Sequence, residues 1–134
     1  MTPRRLATVT LVVPDYDAGI RFFCAGLGWD LLEDIDQGTK RWVVVAPEGG
    51  AHGARLLLAR ADGPSQTEAI GRQAGDRVAF FYETEAFERE AARLRAAGAR
   101  FLEEPRDEPY GRVAQWQDPF GNLWDLLQPS DPAA

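Results

Sequence analysis

Thr8-Val9-Thr10-Leu11-Val12-Val13, then a helical stretch, then Gly28-Trp29-Asp30-Leu31-Leu32-Glu33: this order of strand, helix and strand occurs twice in the chain. Roughly seventy residues on, Arg77-Val78-Ala79-Phe80-Phe81-Tyr82 opens the second passage, and Gly98-Ala99-Arg100-Phe101-Leu102-Glu103 follows its helix. A unit of this size is too long for a solenoid repeat and too short to bury a core of its own. Two copies must therefore share one core, and the place where they meet is the first candidate for a binding cavity.

Working outward from that stretch, residues 6–13 are apolar and β-branched and predict a buried strand. Pro14-Asp15 breaks it, and Asp15 can cap a helix. Tyr16, Ile20, Phe23 and Leu27 then recur on one helical face, and Gly28 ends the helix. Strands are predicted at 29–34, 42–46 and 55–60. Residues 61–75 hold Gly63-Pro64, Gly71 and Gly75 and predict a linker, with one helical turn around 66–70. The second passage predicts a strand at 78–82 and a helix at 85–97 with Thr84 as its cap. Strands at 100–103, 112–117 and 123–128 follow, the last after the turn Asp118-Pro119-Phe120-Gly121-Asn122.

The reading is an α+β chain, 1–134, of two tandem βαβββ modules (6–60 and 76–128) joined by the linker 61–75. Each helix covers one face of its strands. The other faces, side by side, form a half-open barrel with an interior cleft.

Composition excludes several classes of function. The net charge of −6 argues against nucleic acid as a partner, because phosphate-backbone binders carry basic patches. Cys24 is the single cysteine, so no internal disulfide can form, and a reducing cytoplasm is the expected home. Arg4-Arg5 before the apolar run has the outline of an export signal, but Pro14-Asp15-Tyr16-Asp17 stands where small cleavage-site residues belong. No run approaches the ~20 apolar residues that span a bilayer, so no membrane partner is expected.

Two sets of residues carry a resemblance. The first is Val9-Thr10-Leu11-Val12-Val13-Pro14-Asp15 with Phe22-Phe23 and Leu27-Gly28-Trp29. The second is Ala97-Gly98-Ala99, Glu104-Pro105, Pro109-Tyr110-Gly111-Arg112 and the run from Asp118-Pro119-Phe120-Gly121-Asn122 to Leu123-Trp124-Asp125-Leu126. The chain resembles the vicinal-oxygen-chelate superfamily of glyoxalase I, extradiol dioxygenases, fosfomycin-resistance and bleomycin-binding proteins. The resemblance implies paired βαβββ modules, a homodimer, and in the enzymes one divalent metal held from the first and last strands of each module. Those positions fall here on Thr8, Arg77, Asp125 and Leu56, with the last register open to a slip onto Leu57. Threonine is a poor ligand, leucine is none, and arginine places a fixed positive charge where the cation would sit. No metal or other cofactor is therefore expected.

Strand alternation supplies the rest of the cleft wall. Thr8, Thr10 and Val12 share one face, as do Arg77, Ala79 and Phe81, and Leu123, Asp125 and Leu127. Trp42 and Trp116 either line the cleft or belong to the core or a dimer contact. Arg77 and Asp125 are read either as a structural ion pair or as an anchor for a ligand's anionic or carbonyl group. The candidate ligand-binding set is Thr8, Thr10, Leu56, Arg77, Ala79, Phe81, Trp116 and Asp125. His52 sits in the loop Gly49-Gly50-Ala51-His52-Gly53, which lacks the Lys-Ser/Thr ending of a phosphate loop. No Ser-His-Asp constellation is present. The expected function is the binding of a small, mostly apolar organic ligand, in the manner of the drug-sequestering members of that superfamily. The alternative is a lyase, isomerase or dioxygenase-type enzyme using a non-standard metal site or Arg77, Asp125 and His52. A third reading is a dimer with a vestigial cleft.

Overall fold

Each predicted passage builds its own sheet in the computed structural model, which describes residues 3–130. The chain divides into two compact units between Glu68 and Ala69. The first contains β1 (Thr8–Val13), α1 (Tyr16–Ile20), β2 (Asp30–Asp36), β3 (Arg41–Ala46) and β4 (Arg55–Arg60), with sheet order β1-β4-β3-β2. The first and last strands run parallel, Thr10 beside Leu57, and the others are antiparallel. A short exposed helix, α2 (Pro64–Ala69), lies within the stretch read as a linker.

Asp15 caps α1 as its sequence position predicts, accepting from the backbone N–H of Asp17 and Ala18 at 3.4 and 3.3 Å. The helix then widens into a π-helical turn over Arg21–Gly26, with the Leu27 N–H donating to the Phe22 carbonyl at 3.0 Å. This widening alters the predicted buried stripe. Tyr16, Phe22, Phe23 and Leu27 are buried, and Ile20 is only half-buried. Gly28, at φ 74°, reverses the chain where a side chain would be strained. A Cβ on Gly19 would lie 2.8 Å from Leu58 Cδ1 and 3.6 Å from Val13 Cγ1, so α1 rests directly on β1 and β4.

The second unit contains β5 (Phe80–Glu83), α3 (Phe87–Ala96), β6 (Arg100–Phe101), β7 (Arg106–Glu108), β8 (Gly111–Gln117) and β9 (Leu123–Pro129). Its order is β5-β9-β8-β6, with β7 also on β8 and β5 parallel to β9. The strand expected at 100–103 is shortened to Arg100–Phe101, and a further short strand forms beyond it at Arg106–Glu108. Pro105 lies between them, lacks an N–H for the ladder and breaks the pairing. Helix α3 buries Phe87, Glu90, Ala91 and Leu94, the spacing of one helical stripe. Its start differs from the predicted one. Thr84 bonds only the Ala86 N–H, while the first helical N–H, of Phe87, donates to Gln128 Oε1 of β9 at 2.8 Å.

The turn before β9 is held from within. Asp118 is buried and accepts from the Phe120 and Asn122 backbone N–H groups, from Asn122 Nδ2 and from Trp124 Nε1, all at 2.9 Å. Burial pushes its carboxyl pKa up while these donors pull it down. The bonded Trp124 stacks on Trp116 at 4.9 Å and meets Phe80 at 4.6 Å. Burying each such ring is worth roughly 1.5–3 kcal/mol. Among the described residues no helix is long and apolar enough to cross a membrane.

Candidate functional site

Strand register assigns every side chain to one of two faces in each sheet. In the first unit, Leu11, Val13 and Leu58 are fully buried on the face that α1 covers. Thr8, Thr10 and Val12 point to the other, open face, with Leu57 and Ala59 of β4 beside Thr10 and Val12. Val44 continues the row from Leu57 but is buried, so the face is closed over there. Ile35 and Trp42 face each other farther along that face, 49% and 37% exposed, and Trp42 Nε1 donates to Glu33 at 3.1 Å. Leu56 departs from the sequence reading. It pairs with Val9 and Val45, is 6% exposed, and shares the helix-covered face with Leu58. Leu57 takes the open position instead. Counting residues through the loop before β4 misses the phase by one, and in a strand one residue changes the face.

The second unit presents a row of three across adjacent strands. Phe81 of β5 pairs with Asp125 of β9, and Asp125 pairs with Gln115 of β8. Leu123 and Leu127 flank Asp125 on the same face. Phe81 is 66% exposed, which is unusual for so large an apolar ring. Ala79 lies just before β5 and donates its N–H to the Leu123 carbonyl at 2.8 Å, so it extends the Phe81 row. Trp116 takes the core alternative and leaves the candidate ligand-binding set. It pairs with Trp124 and is 0% exposed in the core on the helix-covered face, where Gln115 and Gln117 cannot follow it.

Arg77 lies in an exposed bend ahead of β5, beyond the strand on which its pairing with Asp125 depended. The cation that acts on Asp125 is Arg106. Burial pushes the Asp125 carboxyl pKa up, Arg106 pulls it down, and Glu103 pushes it up again. Arg106 is itself fully engaged, by Glu103 through Nε and Nη2 at 2.9 and 3.2 Å and by Glu108 through Nη1 at 3.1 Å. Glu103 also accepts the Gln115 backbone N–H at 2.8 Å, and its own pKa is held down chiefly by Arg106. Sequence reasoning missed Arg106, Glu103 and Gln115. The only available signal was the parity of 111–117, which the Gly111 turn leaves undetermined until its partner strand is known.

The donor set does not fit the divalent metal that the resemblance would imply. Thr8 offers a hydroxyl, Leu56 and Leu57 offer hydrocarbon, and Asp125 is a single carboxylate under the influence of an arginine. Among the described residues no three His, Cys, Asp or Glu side chains cluster as a metal site would require. His52 is an exposed loop residue of the first unit, whereas Arg77 and Asp125 belong to the second. Two shallow depressions have volumes of about 600 and 580 Å³, and Glu103 lines the first. One is at the β6 edge around Arg95, Phe101 and Leu102, and the other is beside Tyr16, Arg41 and Arg60.

Comparison with known proteins agrees with this architecture. The Glyoxalase/Bleomycin resistance protein/Dioxygenase superfamily profile matches residues 5–126. An uncharacterised protein of Shewanella frigidimarina is 48% identical over 125 residues, 92% of each chain. The crystal structure of UcmS2 has a TM-score of 0.78 at 27% identity, covering 94% of this chain and 98% of that one. TnmS3, an antibiotic binding protein from Streptomyces sp. CB03234, has a TM-score of 0.74 at 27% identity, covering 97% of this chain and 99% of its own. The chain belongs to the Glyoxalase/Bleomycin resistance protein/Dioxygenase superfamily.

Proposed function

We propose that this superfamily member is a small-molecule-binding protein that takes a mostly apolar organic ligand against the open face of its second sheet, without a resident metal. The observation that carries the reading is the exposed Phe81 ring set beside Asp125 and Gln115 on a sheet face that no helix of its unit covers. Ala79, Leu123 and Leu127 complete the apolar surround. Thr8, Thr10 and Leu57 present a wall of similar chemistry on the first sheet. The likeness to an antibiotic binding protein supports a sequestering role. A homodimer belongs to the same proposal, since apolar strand faces left open need cover. So does a reducing, cytoplasmic setting for Cys24, whose thiol pKa is raised by burial and by Asp30.

The test is calorimetric titration of the purified protein with polycyclic aromatic antibiotics, paired with metal analysis before and after addition of Mn²⁺, Ni²⁺, Fe²⁺ and Zn²⁺. Saturable one-to-one binding by metal-free protein, weakened by Phe81→Ala, is expected. Failure of every such ligand to bind would remove the reading. Asp125 favours a second reading, as an acid/base group of a lyase, isomerase or dioxygenase, because it is a half-buried carboxylate on the open face whose pKa burial pushes up. Tight stoichiometric metal and turnover would select that one. Sedimentation as a monomer at micromolar concentration would count against the dimer.

A further inference from the structure

We propose that the second sheet's open face selects a ligand joining a flat aromatic ring to a cationic amine, with the ring against Phe81 and the ammonium on Asp125. This rests on the binding reading above and adds the chemical class of the ligand. Three observations point to it.

First, Phe81 and Asp125 are direct partners on neighbouring strands, so their side chains rise together about 5 Å apart. A ring and an ammonium one or two bonds apart in a ligand match that interval. Second, among the described residues no hydrogen bond reaches the Asp125 carboxylate, although burial already disfavours its charge. A donor from a ligand would satisfy it, and a cationic donor would do so most strongly. Third, the charges near it leave no place for an anion. Arg106 is the cation acting on Asp125, and its guanidinium is divided between Glu103 and Glu108. Counting Asp125, three carboxylates then stand against one guanidinium. An incoming carboxylate or phosphate would have to displace Glu103 or Glu108 and would meet Asp125 unshielded. Gln115, on the far side of Asp125 from Phe81, adds an amide that can accept from a second N–H of the same amine.

The test uses three ring-matched probes on the full-length protein by calorimetry: 1-naphthylmethylammonium, 1-naphthylmethanol and 1-naphthoate. The ammonium should bind about tenfold or more tightly than the alcohol, as a charge-assisted hydrogen bond allows, and the naphthoate weakest. Asp125→Asn should remove that advantage, bringing the ammonium down to the alcohol's affinity. Phe81→Ala should weaken all three. Saturable binding of the alcohol or naphthoate as tight as that of the ammonium would overturn the selection for a cation while the binding reading stands. Ammonium binding unchanged by Asp125→Asn would place the cation elsewhere and also overturn it. No saturation with any probe would overturn both. The wild-type probe series needs no variant, so a folding defect in either mutant leaves the test intact.

Discussion

The two modules share a topology and the same arginine bridge on the helix side, and they differ in what the open face carries. In both, the first and last strands run side by side and parallel, and one helix covers one face. In both modules an arginine on the helix side bridges two carboxylates over an aromatic ring. In the first module Arg41 of β3 bridges Asp17 of α1 at 2.9 Å and Asp34 of β2 at 2.8 Å, and its guanidinium lies 5.3 Å from the Tyr16 ring centre. The open face of that module is left to threonine, valine and leucine, with Trp42 and Glu33 toward the β2 edge. In the second module Arg112 of β8 bridges Glu88 of α3 at 3.0 Å and Asp107 of β7 at 3.2 Å and lies 5.2 Å from the Phe87 ring centre, and the helix side also holds the buried Asp118–Trp124–Trp116 assembly. Its open face adds Asp125 with Arg106, Glu103 and Glu108. Duplication preserved the backbone and the alternation of faces. What differs is the charged cluster on the open face of the second module.

The largest expected effect tests the buried half of that contrast. Asp118→Ala strands four donors, two of them on side chains packed in the core, and should cost about 3–5 kcal/mol in urea unfolding. A loss below about 1 kcal/mol would mean the turn is held by its backbone alone. Next is Gly111→Ala in the same module. Gly111 has φ 148°, and an added Cβ would land on the Gln128 carbonyl oxygen, so a loss of about 2–3 kcal/mol is expected by the same measurement.

Opposite pH slopes would sharpen the electrostatic contrast. Arg41 holds the Asp34 pKa below the ordinary carboxylate value. Its stabilising contribution is therefore present above that ordinary value and lost as pH falls through the depressed folded value. Asp34→Asn should destabilise at neutral pH, with the difference vanishing in acid. The Asp125 pKa is raised, chiefly by burial, so its contribution is present below the ordinary value and lost as pH rises through the folded one. Asp125→Asn should gain stability relative to the wild type at neutral pH and show no gain in acid. Parallel slopes in melting temperature against pH would sink the distinction. The smallest effect belongs to Arg77→Ala, which should leave melting temperature and ligand affinity within error. A clear loss of affinity would restore Arg77 as an anchor.

Much of the fold could be read because its signals are local. Alternation of Leu11 and Val13 with Thr10 and Val12 needs only the strand period, and the observed burial follows it. Asp15 before α1 and Gly28 after it mark the helix ends by backbone chemistry that neighbouring residues supply. The helix of the first module shows the limit of such signals. Its π-helical turn brings Phe22 to the core beside Phe23, and the 3.6-residue period does not anticipate this. In the candidate site, Phe81 and Asp125 were legible because β5 and β9 keep unbroken alternation. The faces of Leu56 and Trp116 stayed open in the sequence because their strands follow a loop and a glycine turn across which parity is lost.

The amino-acid sequence by itself determined that one order of strands and helix is repeated along the chain and that each half sets strands around one helix. These depend on residue type and short periods. Only the tertiary structure decided that Leu57 faces outward, that Trp116 is core, and that Arg106 rather than Arg77 governs Asp125. Those facts depend on which residues of distant strands lie opposite one another. Hydrogen-bond register between strands sets that, and no single strand encodes it alone.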